Sequence, residues 1–256
     1  MNYLMPSYLI PYLLSGTLAI TATLLFGLDS ALRLARWPAR ERKQAVWSIG
    51  VPMVAWLFAA VLLSWFGFYR GVANRFPTIP YGVLIPIVTG VALFWRWGML
   101  KRALEAVPLQ WIVGVQVYRA LGFIFLILYA GGHLPGEFAW PAGVGDVMVG
   151  LLAPMVGLAY ARGSRRAAGY VRAWNLLGIC DLVVALTMGV LTSPSPLQRL
   201  AFGAPNELVS AFPLALVPVF LVPLSVLLHF ASLNKLQQTE PAQRVSRSPL
   251  AASGGN

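Results

Sequence analysis

Three ionisable side chains, Arg119, Asp146 and Asp181, stand in apolar runs where charge is unfavourable. A charge at the centre of a bilayer costs roughly 2.5–3.5 kcal/mol on insertion scales. Three of them in separate helices are unfavourable by roughly 8–10 kcal/mol unless they meet one another or water. They are therefore expected to form one buried polar cluster. Such a cluster can bind a polar group, hold a proton or fix helix register. Gln116 precedes Arg119 by three residues and shares a helical face with it and with Gly122. Gly143, Asp146, Gly150, Ala153 and Gly157 make a second stripe, and Gly178, Asp181, Ala185 and Gly189 a third. Small residues let membrane helices approach closely, so the polar side chains are expected on packing faces, pointing inward.

Depth refines the expectation. Arg119 and Asp181 each fall eight residues in from the start of their apolar runs, about 12 Å at the helical rise, and are expected to meet directly. Asp146 is expected about 8 Å from the other end of its run, some 10 Å higher in a ~30 Å core. There it needs water or a polar side chain to join the other two. Tyr118 and Asn175 are the nearby candidates.

Gly143-Val144-Gly145-Asp146 resembles the GxGD motif of intramembrane aspartyl proteases, and Pro213-Leu214-Ala215-Leu216 faintly resembles their PAL motif. That resemblance implies a hydrolase in which Asp146 and Asp181 share a proton and activate water. The pattern departs from the family's. The family's first aspartate follows a tyrosine and precedes GxGD, whereas Asp181 follows Cys180 and comes after it. Arg119 also works against a shared proton. The hydrolase is kept as an alternative to a non-enzymatic protein. His133 and His229, the only two histidines, are expected about a membrane thickness apart, ~30 Å, and cannot ligate one metal or haem. His229 reads as an interfacial side chain. Cys180 is the only cysteine, which excludes an intrachain disulfide and a Cys-based zinc site. The last span holds no lysine for a retinal Schiff base. No cofactor and no metal is expected.

These side chains need membrane helices to hold them. Of 256 residues, 58% are hydrophobic and 11% charged, against about 25% charged in an ordinary soluble domain. The net charge of +11 invites a nucleic-acid partner. The basic residues sit in gaps between apolar runs and form no continuous face, which excludes it. Seven runs of spanning length follow one another: 8–28, 45–68, 79–97, 111–131, 141–161, 173–192 and 209–231. The first lacks the leading positive charge of a signal peptide and reads as an uncleaved helix. The gaps 29–44, 96–110 and 162–172 and the tail after 231 hold fifteen basic residues, while the alternate gaps hold only Arg70, Arg75 and Arg199. This asymmetry places the amino terminus outside and the carboxyl terminus in the cytoplasm. Trp37, Trp47, Trp95, Trp97, Trp111 and Trp174 are expected at the cytoplasmic interface. Residues 29–44 are expected to continue helically past the first span, and 194–203 to form a short interfacial helix. The last span carries Pro213, Pro218 and Pro223, each freeing a carbonyl, and is expected to be kinked or broken as a hinge. Three hairpins, each returning through proline-containing spans, hint at an internal repeat.

The region 110–231 resembles a group of bacterial multi-pass membrane proteins with no established activity. The residues that carry this are Gln116-Val-Tyr-Arg119, Leu134-Pro-Gly-Glu137-Phe, Pro141-Ala-Gly-Val-Gly-Asp146, Trp174-Asn175-Leu-Leu-Gly178, Asp181 and Pro205-Asn206. The resemblance implies an architecture and no reaction. We read the chain as an all-α, seven-helix bundle of the bacterial inner membrane over residues 1–235, with a disordered cytoplasmic tail over 236–256. The expected role is a carrier or binding protein for a small polar molecule or proton. Its pathway residues would be Gln116, Tyr118, Arg119, Asp146, Asn175 and Asp181, and its hinge Pro213, Pro218 and Pro223. A structural or sensory subunit, with the Arg–Asp pair purely structural, is a further alternative. Partners expected are the bilayer and anionic lipid at the basic face. The sequence leaves oligomeric state open.

Overall fold

The computed structural model describes residues 5–164 and 166–246. Among these the chain is all-helical. The helices are α1 (Leu9–Leu34), α2 (Ala39–Trp65), α3 (Ile79–Arg96), α4 (Gly98–Ala106), α5 (Leu109–Gly114), α6 (Ile124–Ala130), α7 (Gly136–Ala161), α8 (Ala167–Thr192) and α9 (Val222–Ser246). A 3-10 segment, Val115–Phe123, joins α5 to α6, so the three act as one span. A π-helical turn, Val217–Leu221, leads into α9. Seven helical stretches are long and apolar enough to cross a membrane, with mean hydropathy between 1.5 and 2.1.

Burial shows which spans are central. More than half of the apolar window of the last span is buried, whereas α3 buries only Val83. Ile20 and Leu24 of α1 and Leu57 of α2 pack around Leu216, Val219 and Phe220 at the entry to α9. Leu109 and Val113 of α5, Val149 and Ala153 of α7 and Val171 and Trp174 of α8 close a second core with Leu236. The outer surface is apolar, with Phe26, Trp47 and Trp95 each at least 70% exposed. Lipid tails are the solvent such a surface fits.

The basic loops collect at one end. There α4 lies across α1 and α2, burying Ala103 while Arg102 pairs with Glu41 and stacks over Trp37. At the opposite end the connection from α8 to α9 is tied down by Asn206. Its backbone N–H donates to Thr192 O at 2.9 Å, and Ser193 Oγ donates to its carbonyl at 3.1 Å.

Several expectations change. The helix continues past residue 28 as expected, but only to Leu34, because the chain turns at Arg36 (φ 58°) before α2. Residues 194–203 form turns instead of an interfacial helix, and Ala201 takes φ 56°. Trp174 is buried at 3% exposure, because its indole donates to Val149 O at 3.0 Å inside the bundle. The last span begins at Val217 instead of 209, since Pro213, after a cis peptide bond, and Pro218 deny the preceding turn its amide donors. It continues to Ser246, into the tail expected to lack a fold; residues 247–256 lie outside the described residues.

Candidate functional site

The fourth span changes winding where it carries its polar residues. Nine consecutive residues, Val115–Phe123, are 3-10 helical, well beyond the usual run of about three or four. With three residues per turn, Gln116, Arg119 and Gly122 stack in one line along the helix. That line faces α7 and α8. A Cβ on Gly122 would collide with Asp146, and one on Gly150 would collide with the backbone of Ala120. The small-residue stripe of α7 therefore sits directly against the 3-10 segment.

Arg119 is the centre of the site, with its side chain only 2% exposed. One edge of its guanidinium serves both carboxylates. Nε donates to Asp146 Oδ1 at 2.8 Å, and Nη2 donates to Asp181 Oδ2. Nη1 turns away, donating to Gly178 O at 3.3 Å and to His229 Nε2 at 3.2 Å. A guanidinium has no acceptor, so His229 Nε2 accepts and the proton of the neutral ring lies on Nδ1. Nδ1 then donates to Asn175 Oδ1 at 2.9 Å, and Asn175 Nδ2 donates to Val171 O and Ser232 Oγ. The network runs from α7 and α8 through the fourth span into α9. Glycines make room for it: a Cβ at Gly145 would overlap Asp181, and one at Gly178 would overlap His229.

The expected meeting of Arg119 and Asp181 is present. Asp146 needs no water to join them, contrary to the depth estimate. Its helix begins at Gly136 instead of 141, which puts Asp146 about 15 Å from that end, level with Asp181. His229 is not interfacial. The last span extends to Gln238, so His229 lies in its interior, fully buried. Tyr118 makes no hydrogen bond to the carboxylates among the described residues; its hydroxyl is 2.7 Å from Ser225 Oγ on α9. Gln116 is fully buried, and neither its Nε2 nor its Oε1 has a hydrogen-bond partner among the described residues. Pro218 lies in the π-helical turn and Pro223 in the first turn of α9, while Pro213 precedes both. Sequence reasoning missed Ser225 and Ser232 and placed His229 at the interface instead of in the cluster. Their spacing of four and three residues draws one polar line along the apolar last span, which was the available signal.

A cavity of about 210 Å³ reaches the cluster from the end opposite the basic loops. It runs from Pro77, Ser193 and Val209 down to Asp146, and Asp146 is its only charged lining residue. Of the three cluster members Asp146 is the most exposed, at 16%, against 8% for Asp181. A smaller space of about 40 Å³ reaches the other side of Arg119 and Asp146, beside Tyr118 and Ser225. Both aspartates are committed to the guanidinium, so the hydrolase alternative gains no paired acids facing a water. Among the described residues no group of three or more His, Cys, Asp and Glu is placed to hold a metal ion.

Fold and site together define a helical protein of multi-pass membrane type, whose inner spans enclose one arginine held by two aspartates. The chain belongs to the DUF8737 family, a domain of unknown function, which it matches over residues 76–237. That stretch runs from α3 through the cluster residues of α9. No curated protein and no solved structure matches the chain.

Proposed function

We propose that this chain is a binding or carrier protein of the bacterial cytoplasmic membrane, with its amino terminus outside. A small polar molecule or a proton would use the Arg119–Asp146–Asp181 cluster. One observation carries this reading: the cluster is buried at bilayer depth, yet a cavity of about 210 Å³ connects Asp146 to one end of the bundle. Ionisable groups in a membrane interior lie along ligand or ion pathways as a rule. Arg119 controls the charge and position of the two carboxylates. Tyr118 lines the smaller space on the other side of Arg119, and Asn175 holds His229 behind the cluster. Gln116 lies one 3-10 turn before Arg119, and the broken entry to the last span, through Pro213, Pro218 and Pro223, supplies the moving element. The loop charges support a cytoplasmic basic end in contact with anionic lipid.

The test is a thermal-shift screen of the full chain in nanodiscs. Small cations, anions and zwitterions are the probes, and a pyranine assay follows proton flux in proteoliposomes. A bound ligand at one hundred times its Kd stabilises the folded state by about 2.7 kcal/mol. Asp181→Asn and Arg119→Ala should abolish both the shift and any flux while the protein still elutes as a folded species. Normal binding and flux in both variants would remove the cluster from the function.

A second reading is a structural ion triad, and the four hydrogen bonds made by the guanidinium favour it. Each guanidinium nitrogen of Arg119 has a protein partner. On that reading no probe shifts the melting curve, and both variants are simply destabilised.

A further inference from the structure

We infer that the cavity above Asp146 takes a small organic ammonium ion with an apolar body; this rests on the binding reading above and names its ligand class. Four observations carry it. The first is charge. The buried cluster contains one guanidinium and two carboxylates, and His229 is held as a neutral ring by its acceptor role toward Arg119. With both carboxylates ionised the balance is one negative charge, and the site then favours a cation over an anion. The second is access. Arg119 does not line this cavity, whereas Asp146 does. Arg119 holds Oδ1 of Asp146, and Oδ2, beside Gly122, has no hydrogen-bond partner among the described residues. An ammonium N–H that reaches the carboxylate can donate to its remaining lone pairs without breaking the ion pair.

The third observation is the wall. Apart from Asp146 and Ser193 the lining is apolar. A hydrated inorganic cation gains nothing from such a wall, while an alkyl or aryl body does. Phe125 and Phe138 both line it and lie edge to face, with ring centroids 5.3 Å apart. Aromatic rings near a carboxylate add cation–π attraction for an ammonium group. The fourth is size. An apolar void of about 150 Å³ holds benzene, so a cavity of about 210 Å³ has room for one ring or a short chain with its amine.

The experiment titrates benzylammonium, benzyl alcohol and benzoate at pH 7 into the full chain in zwitterionic nanodiscs, by calorimetry, with empty discs subtracted. The three probes share one ring and differ in charge. Benzylammonium should bind saturably at one site, at least about tenfold more tightly than the alcohol, and benzoate should show no saturable binding. Two variants locate the site. Asp146→Asn removes the charge, and Ala185→Phe fills the cavity wall without touching the ion pairs. Each should weaken benzylammonium by about tenfold or more. If Asp146→Asn does not fold, the alcohol comparison and Ala185→Phe still decide. Equal binding of the alcohol, or preferred binding of benzoate, lost in Ala185→Phe, would overturn the ammonium class and leave the binding reading standing. Absence of saturable binding for all three probes would overturn the ammonium inference, while the binding reading stands or falls with the variants in the screen and flux assay above.

Discussion

Arg119 works as a three-way junction, and that follows from its shape. A planar fork can address two carboxylates along one edge while its other nitrogen reaches a carbonyl and an imidazole. Arg119, Asp146 and Asp181 were legible as partners from composition, because three charges in lipid must find one another. Gln116 was legible as a buried polar residue, but its surroundings were not. Its amide is sealed without a hydrogen-bond partner among the described residues, and an unsatisfied buried group costs about 1–3 kcal/mol. Gln116→Met keeps the length and removes the polarity. It should raise the thermal midpoint in detergent, by a stabilisation of about 1–2 kcal/mol. An unchanged or lower midpoint would mean that the amide has a partner, such as a water or a ligand. His229 was read as interfacial because a lone histidine in an apolar run has no pattern of its own. Only its alignment with Ser225 and Ser232 along one face reveals it.

At the scale of elements, the boundaries decided what could be read. Depth counted from hydropathy alone placed Asp146 too near one end, because Pro135 starts α7 five residues before the apolar run does. The 3-10 winding of Val115–Phe123 leaves no composition signal, yet it lengthens the fourth span by about 0.5 Å per residue relative to an α-helix. The small-residue stripes were legible in full, since close helix packing in lipid demands them. They yield a paired prediction. At Gly150 an added methyl would meet the Ala120 backbone, which cannot step aside, whereas at Gly169 it would meet nothing within 4 Å. Gly150→Ala should destabilise the bundle by about 1–3 kcal/mol. Gly169→Ala should be neutral or stabilising by up to about 1 kcal/mol, because it only restricts the unfolded chain. Thermal melts of the two variants side by side check this, and equal melting would remove the contact between α7 and the 3-10 segment.

For the whole molecule, the orientation proposed from loop charge is testable with thiols. In a Cys180→Ser background, Asn74→Cys should react with an impermeant maleimide on intact cells. Ser164→Cys should react only after the membrane is opened. The reverse pattern would invert the bundle and turn the cavity toward the cytoplasm. The central place of the last span has one more consequence. Arg119, Asp146 and Asp181 emerge from the ribosome well before His229 does, and the entry to α9 supplies much of the packing for α1 and α2. A chain truncated before the last of these seven spans would keep its ion pairs beside an empty central slot. Such truncated chains should be cleared faster than the full chain in a pulse-chase, because the element that fills the middle of the bundle is missing.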